Sequence, residues 1–209
     1  TMARYTGPVC RLCRRVGEKL MLKGERCFTP RCAVERRRTP PGNPSQRRRR
    51  VSDHGIQLKE KQKARYIYGI MEKQFRRYME QAFKNPGVTG QYLLELLERR
   101  LDNVVFRLGF SESRAQSRQL VLHGHFAVNG RKTTIPSYLL KPGDVVSWLE
   151  SRKEKDFYKA LIEDVPKRPV PQWIILDLEA MTGSITRLPT AEDLESAIDT
   201  RLIVEYYSR

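Results

Sequence analysis

Arg100-Leu-Asp-Asn-Val-Val105, Leu108-Gly-Phe110, Ser113-Arg-Ala-Gln-Ser-Arg-Gln-Leu-Val121, His123-Gly-His125, Val128-Asn-Gly130, Pro136-Ser137 and Lys141-Pro-Gly-Asp144 make up the stretch on which the fold turns. Its local chemistry predicts a helix closed by a turn at Gly109, then a second helix capped by Ser113 and stopped at Gly124. Asn129-Gly130 predicts a tight hairpin turn, and Pro142-Gly143-Asp144 a second turn leading into a strand over 145–149. On the second helix Arg114 and Arg118 are four apart and share a face. Gln119 borders that face, while Ala115, Leu120 and Val121 are expected to look inward. Asn129, Arg131 and Lys132 stand at the hairpin tip, and His123 and His125 flank the Gly124 turn, a place for RNA contact or packing. A basic helix face beside a basic turn makes a concave surface suited to an RNA backbone.

Upstream, Leu93, Leu97, Leu101, Val104, Val105 and Leu108 read as one buried face of a single helix capped by Thr89. Its other side, with Glu95, Glu98, Arg99 and Asp102, is expected to be solvated. Before it, Met71, Phe75, Tyr78, Met79, Ala82 and Phe83 form another helical stripe, ended by Asn85-Pro-Gly87. Ser52 or Asp53 can cap a helix from about 56 to 68, with Gly69 as its stop. That helix carries Lys59, Lys61, Lys63 and Arg65 and is expected to lie against phosphates. Downstream, Ser151-Arg-Lys-Glu154 reads as a capping box, with Phe157, Leu161 and Ile162 on the apolar face of the helix that follows. Residues 165–171 read as a stiff linker, 173–178 and 184–188 as short strands joined through Thr182-Gly183, and 202–207 as a last strand or extended segment.

The 209 residues are enough for a real core, and no apolar run approaches the length of a membrane span. The opening residues carry no apolar segment like a secretion signal, so the expected setting is cytosolic. The net charge of +16 is graded: residues 1–66 carry +14, residues 67–150 carry +4 and residues 151–209 carry −2. A block that basic calls for a polyanionic partner. Nucleic acid suits it, because guanidinium forks match phosphates and Arg outnumbers Lys in this block. Arg36-Arg37-Arg38 and Arg47-Arg48-Arg49-Arg50 flank Thr39-Pro-Pro-Gly-Asn-Pro-Ser45, a stiff stretch that builds no core. It has no apolar face for a membrane surface.

All four cysteines fall early, as Cys10-x2-Cys13 and Cys27-x4-Cys32. Two close pairs separated by thirteen residues can bring four thiolates around one zinc ion, as a structural site. Disulfides suit secreted chains instead. Arg11, Arg14, Arg15, Arg26 and Arg31 sit beside the ligands and offset the charge of four thiolates.

From Glu98 to Trp148 these positions resemble the small RNA-binding module first named for the fourth small-subunit ribosomal protein, also found in pseudouridine synthases and tyrosyl-tRNA synthetases. Ser117 departs from it, where alanine is expected. The flanks choose among these relatives. Ala3-Arg-Tyr-Thr-Gly-Pro-Val-Cys-Arg-Leu-Cys-Arg-Arg15, Cys27-Phe-Thr-Pro-Arg-Cys32, Glu60-Lys-Gln-Lys-Ala-Arg65, Tyr68-Gly-Ile70 and Val204-Glu-Tyr-Tyr-Ser-Arg209 resemble the bacterial uS4 family, and the cysteine pairs resemble its zinc-binding branch. The resemblance implies an α+β fold: a zinc knuckle and basic arm over 1–50, a helical domain starting at 51–97, the inserted module over 98–165, and a segment over 166–209 packing back on the helical domain. It implies a non-enzymatic protein that binds small-subunit rRNA at a multi-helix junction early in assembly. It also implies a place near the entrance of the mRNA channel, an effect on decoding accuracy, and the fifth small-subunit protein as a neighbour. The expected RNA contacts are Arg4, Arg11, Arg14, Arg15, Arg36, Arg37, Arg38, Arg47, Arg48, Arg49, Arg50, Lys59, Lys63, Arg114, Arg118, Gln119, His123, Asn129, Arg131 and Lys132. Two competing readings are an RNA-modifying enzyme and a zinc-containing DNA regulator. The first needs a catalytic domain that residues 149–209 are too few to supply. The second needs a helix presenting side chains to base edges, where this basic segment is interrupted by proline.

Overall fold

Ser52 Oγ accepts the Gly55 N–H and starts α3 (Asp53–Ile67), and Gly69, at a φ of 62° that L side chains rarely adopt, turns the chain out of it. The computed structural model describes residues 4–37, 39–42, 51–154, 158, 169–195 and 197–208. They cluster into two units, one of residues 1–93 and 195–209 and one of residues 94–194. No helix among them is long and apolar enough to cross a membrane.

The first unit holds α1 (Cys10–Val16), a 3-10 turn over Gly24–Cys27, α2 (Ala33–Arg36), α3, α4 (Glu72–Lys84), the start of α5 (Thr89–Glu98) and α9 (Thr200–Tyr207). On α4 the stripe is narrower than its sequence suggests. Phe75, Tyr78, Met79 and Ala82 are buried, whereas Met71 and Phe83 face out. Residues 202–207, expected as a strand, form α9 instead. Asp199 caps it by accepting the Arg201 N–H, and Ile203 packs inward.

α9 lies on α3 and reaches the first residue of α4 through polar contacts. Gln57 Nε2 donates to Glu205 Oε2 at 2.9 Å, the Asp199 N–H donates to Glu60 Oε1 at 2.9 Å, and Tyr207 Oη donates to Glu72 Oε1 at 2.8 Å. Lys61 Nζ sits 2.9 Å from the same Glu72 oxygen and 4.9 Å from the Tyr206 ring centroid. Burial works against ionisation of Glu72, but the Lys61 and Tyr207 hydrogen bonds and the nearby Arg65 outweigh it and hold its pKa below the usual carboxylate range. A depressed folded-state pKa gives stability that is present above the unfolded value, near 4.3, and is lost as pH falls through the folded one. Glu72→Gln is therefore expected to destabilise the protein at neutral pH, with the deficit relative to wild type shrinking below about pH 4. Urea unfolding of both proteins at pH 7 and at lower pH checks this.

The second unit contains the end of α5, α6 (Leu101–Arg107), α7 (Arg114–Leu122), the short α8 (Glu150–Lys153) and an antiparallel sheet. Its strands are β1 (Phe126–Val128), β2 (Arg131–Lys132), β3 (Val145–Trp148), β4 (Ile174–Asp177) and β5 (Thr182–Ile185), in the order β2-β1-β3-β5-β4. Asn129 and Gly130, at φ 51° and 75°, form the hairpin turn between β1 and β2. The core packs Leu101, Val104, Val105 and Leu108 of α6 and its end against Phe110, Val121, Phe126, Val146, Trp148 and Trp173. Ser117 is buried with its hydroxyl 2.5 Å from Ser111 Oγ, so the expected alanine position here carries a hydrogen bond.

Three further expectations change here. Thr182-Gly183 lies inside β5 rather than between strands, and the turn is at 178–181. A Cβ at Gly183 would stand 2.3 Å from Leu108 Cδ2, so the glycine admits a core leucine against the sheet. Residues 174–185 therefore complete the module's own sheet through β3–β5 pairing, and only the chain from 195 onward clusters with the first unit. α8 begins at Glu150 with Leu149 as its N-cap and no side-chain cap, so Ser151 is not a capping residue. Phe157, Leu161, Ile162 and residues 165–168 of the expected linker lie outside the described residues.

Candidate nucleic-acid interface and cysteine cluster

The continuous helix expected from Leu93 to Leu108 breaks at Arg99-Arg100, because the backbone there pairs with residues 136–140. The Leu101 N–H donates to Tyr138 O at 2.8 Å, the Asp102 N–H to Pro136 O at 3.1 Å and the Leu140 N–H to Arg99 O at 2.9 Å. The break turns the supposedly solvated side inward. Glu98 and Arg100 are fully buried, and Asp102, Asn103 and Arg118 nearly so. Arg100 grips Asp102 with Nε at 3.0 Å and Nη2 at 2.7 Å, and Arg118 Nη1 adds a third contact at 3.1 Å. Beside them Arg107 grips Glu98 in the same forked way, at 3.0 and 2.7 Å. Asn103 extends the second group, since its Nδ2 donates to Glu98 Oε2 at 2.7 Å and its Oδ1 accepts from Arg114 Nε at 2.8 Å.

Two of the expected RNA contacts on α7 therefore do internal work. Arg118 is buried against Asp102 and is removed from the candidate surface. Arg114 is half-buried, bonded to Asn103 and stacked 4.6 Å from the Phe106 ring centroid. Ala115, expected inside, is exposed, because the buried face of α7 runs through Ser117, Arg118 and Val121. His123 is exposed, and Gln119 meets it side chain to side chain. The Asn129 side chain is committed to its own turn: Nδ2 donates to Asp144 Oδ1 at 2.8 Å and Oδ1 accepts the Val145 N–H at 2.9 Å. Arg131 and Lys132 remain, both exposed on β2 at one edge of the sheet.

In the first unit, Lys59 is exposed as expected, but Lys63 is 7% exposed and lies 2.7 Å from Glu18 Oε2 and 3.4 Å from Glu60 Oε1. Its burial opposes the charged form, yet the two carboxylates overcome that and raise its pKa, so the ammonium is held inside the fold and is not presented to RNA. Arg4, Arg11, Arg15, Arg36 and Arg37 are exposed and Arg14 half-buried. Arg38 and Arg47–Arg50 lie outside the described residues.

Cys13, Cys27 and Cys32 are buried, Cys10 is half-buried, and all four are free thiols. All four line one small cavity of about 10 Å³, the size of a single water-sized sphere, closed by Val9 and Leu22. Cys27 Sγ accepts the Lys23 N–H at 3.3 Å. Burial pushes the Cys13 thiol pKa up against an opposing backbone hydrogen bond at Leu20, and the other three cysteines add to the rise. Among the described residues no group of three or more His, Cys, Asp or Glu side chains is arranged to hold a metal ion. The donor set nonetheless fits one: four soft ligands converge on one cavity with no carboxylate or imidazole in its lining.

Beside the cysteines Arg14, Arg26, Arg31, Arg36 and Arg37 with Ala33 surround a cavity of about 220 Å³. Arg14 is fixed there, its Nε donating to Thr39 O at 2.9 Å. From the sequence Arg26 and Arg31 have only a charge-balancing part; their convergence on one cavity depends on the turn at 24–32 and is not readable from spacing.

Residues 4–98 match the family described as ribosomal protein S4/S9 N-terminal domain, and residues 99–146 match the S4 domain. Small ribosomal subunit protein uS4 of Pelotomaculum thermopropionicum is 54% identical over 208 residues, covering 100% of both chains. The proteins of the same name from Geotalea daltonii and Halothermothrix orenii are 55% and 53% identical over the same length, again covering 100% of both chains.

Proposed function

This chain belongs to the uS4 family of small ribosomal subunit proteins, and on that premise we propose how it grips RNA and what it grips. It is a structural, non-enzymatic ribosomal protein of translation with an RNA-binding S4 domain, which implies binding to rRNA. The competing enzyme reading falls with that membership. The proposed target is small-subunit rRNA at a multi-helix junction, engaged early in assembly. The cationic groups that each unit turns outward support this: Arg131 and Lys132 on the hairpin, and the exposed arginines with Lys59 in the first unit. The hairpin carries the reading furthest. Its cations lie within the matched S4 domain and, among the described residues, have no carboxylate within ion-pair distance.

Cys10, Cys13, Cys27 and Cys32 hold one structural zinc ion, as in the cysteine-bearing branch of the family; their convergence on one cavity supports this. The RNA-binding module is an insertion within one helical domain, a reading supported by the clustering of 1–93 with 195–209. The protein works on cytoplasmic ribosomes near the entrance of the mRNA channel, where it affects decoding accuracy. The fifth small-subunit protein is a neighbour, met by the acidic region in which Asp177, Glu179 and Glu192 are exposed.

The test is binding of the full chain to small-subunit rRNA across a salt series. Replacing Arg131 and Lys132 together by alanine is expected to lower the slope of log affinity against log salt by about 2, one for each phosphate no longer neutralised, without changing stability. Equal affinity for small-subunit rRNA and for heparin would overturn the proposal.

A further inference from the structure

Phe28 is 76% exposed, the most exposed large hydrophobic side chain among the described residues. Its turn is rigidly built. The Phe28 N–H donates to Glu25 O at 2.9 Å, Thr29 Oγ1 donates to Arg26 O at 3.1 Å, and the Cys32 N–H donates to Thr29 O at 3.0 Å, so the ring projects from a scaffold pinned at both ends by buried cysteines. The adjoining Arg26 and Arg31, two and three residues away, both line the arginine cavity. No acidic side chain lines that cavity, and its volume of about 220 Å³ is below the range of about 300–1,000 Å³ usual for pockets that take small molecules. Guanidinium groups held together in this way favour a compact oxyanion such as a backbone phosphate, whose two free oxygens accept forked hydrogen bonds.

An exposed aromatic ring whose near neighbours in the chain line a cationic cavity is a combination by which proteins hold unpaired nucleotides: the base stacks on the ring and its phosphate enters the basic site. A paired helix offers phosphates but no free base face. We infer that the turn at 24–32 is a binding site for a single-stranded nucleotide, with the base stacked on Phe28 and the adjoining phosphate in the cavity formed by Arg14, Arg26, Arg31, Arg36 and Arg37. This rests on the RNA-binding reading above and adds to it a class of RNA element: a bulge, loop or junction strand with an unstacked base.

The test uses the full chain and small-subunit rRNA in filter binding over a salt series, with Phe28→Ala, Phe28→Leu and Phe28→Trp. Because the ring is exposed, these variants are expected to keep the wild-type unfolding midpoint. Alanine and leucine are each expected to weaken binding about tenfold with the salt slope unchanged, and tryptophan to retain wild-type affinity. Leucine matching phenylalanine would make the contact merely apolar and overturn the stacking site, as would alanine binding with wild-type affinity. So would a variant that binds rRNA normally but fails to recruit another ribosomal protein, since the ring would then face protein. In each of these cases steep, rRNA-selective binding by wild type would leave the RNA-binding reading standing; loss of that selectivity in wild type itself would instead defeat the broader reading.

Discussion

Asp102→Ala is expected to lower the unfolding free energy by about 3–5 kcal/mol, a large part of what holds a domain together. The reason lies in what it leaves behind. Asp102 is the carboxylate shared by Arg100 and Arg118, which are 0% and 5% exposed. Removing it takes from two buried guanidinium groups the carboxylate they share, where water cannot readily replace it. Asp102→Asn should fare little better, since an amide cannot neutralise either guanidinium. The exposed pair of Lys153 with Glu150, 2.7 Å apart, gives the contrast: Glu150→Ala should change stability by less than about 1 kcal/mol. Urea unfolding of the three variants checks the ranking, and a deficit for Asp102→Ala no larger than that for Glu150→Ala would contradict it. Arg118→Ala belongs to the same class, so weaker RNA binding by that variant would report damage to the fold and not the removal of a phosphate ligand.

The second large effect concerns the cysteines. The segment from Cys10 to Arg37 buries few apolar side chains besides its cysteines, chiefly Leu12, Val16 and Leu20. A core that small does not hold a fold without a staple. Structural zinc sites contribute about 10–16 kcal/mol in isolated fingers, far more than those three side chains can supply. The purified protein is expected to carry one zinc ion per chain. Stripping that ion, or Cys13→Ser, should open the segment to proteolysis between residues 10 and 37 while residues 94–194 keep their unfolding transition. Metal analysis with limited proteolysis under reducing conditions checks it. A Cys13→Ser protein as protease-resistant as wild type would remove zinc from the account.

Legibility followed the range of the forces involved. Ser52, Ser113 and Asn129-Gly130 act within a few residues, and their caps and turn appear where the sequence places them. The break at Arg99-Arg100 was not legible, because the leucine spacing runs straight through it and the decision is made by residues 136–140, some forty positions away. α9 departs from its local preference for a different reason: Leu202-Ile-Val-Glu-Tyr-Tyr207 is rich in strand formers, and its docking on α3, with the Asp199 cap, overrides that preference. At the candidate site the same division holds. The hairpin cations could be found from their turn. Charge counting treats Lys63, Arg118 and Arg131 alike, and only the carboxylates around the first two separate a buried strut from a group that meets RNA. The family resemblance, carried by short motifs in both flanks, agrees with the family that the chain matches over its full length.

The seating of α9 on α3 has a consequence for synthesis. Gln57 and its partner Glu205 are 148 positions apart, with the whole module made in between. Translation delivers the two halves of that contact many seconds apart, at about 5–20 residues per second. During that interval the module can fold as a unit on the emerging chain, while α3 waits with Gln57 and Lys61 lacking the contacts that α9 supplies. The arrival of α9 gives Gln57 its carboxylate partner and sets the Tyr206 ring against Lys61, so this face of α3 is completed only after the module has been made.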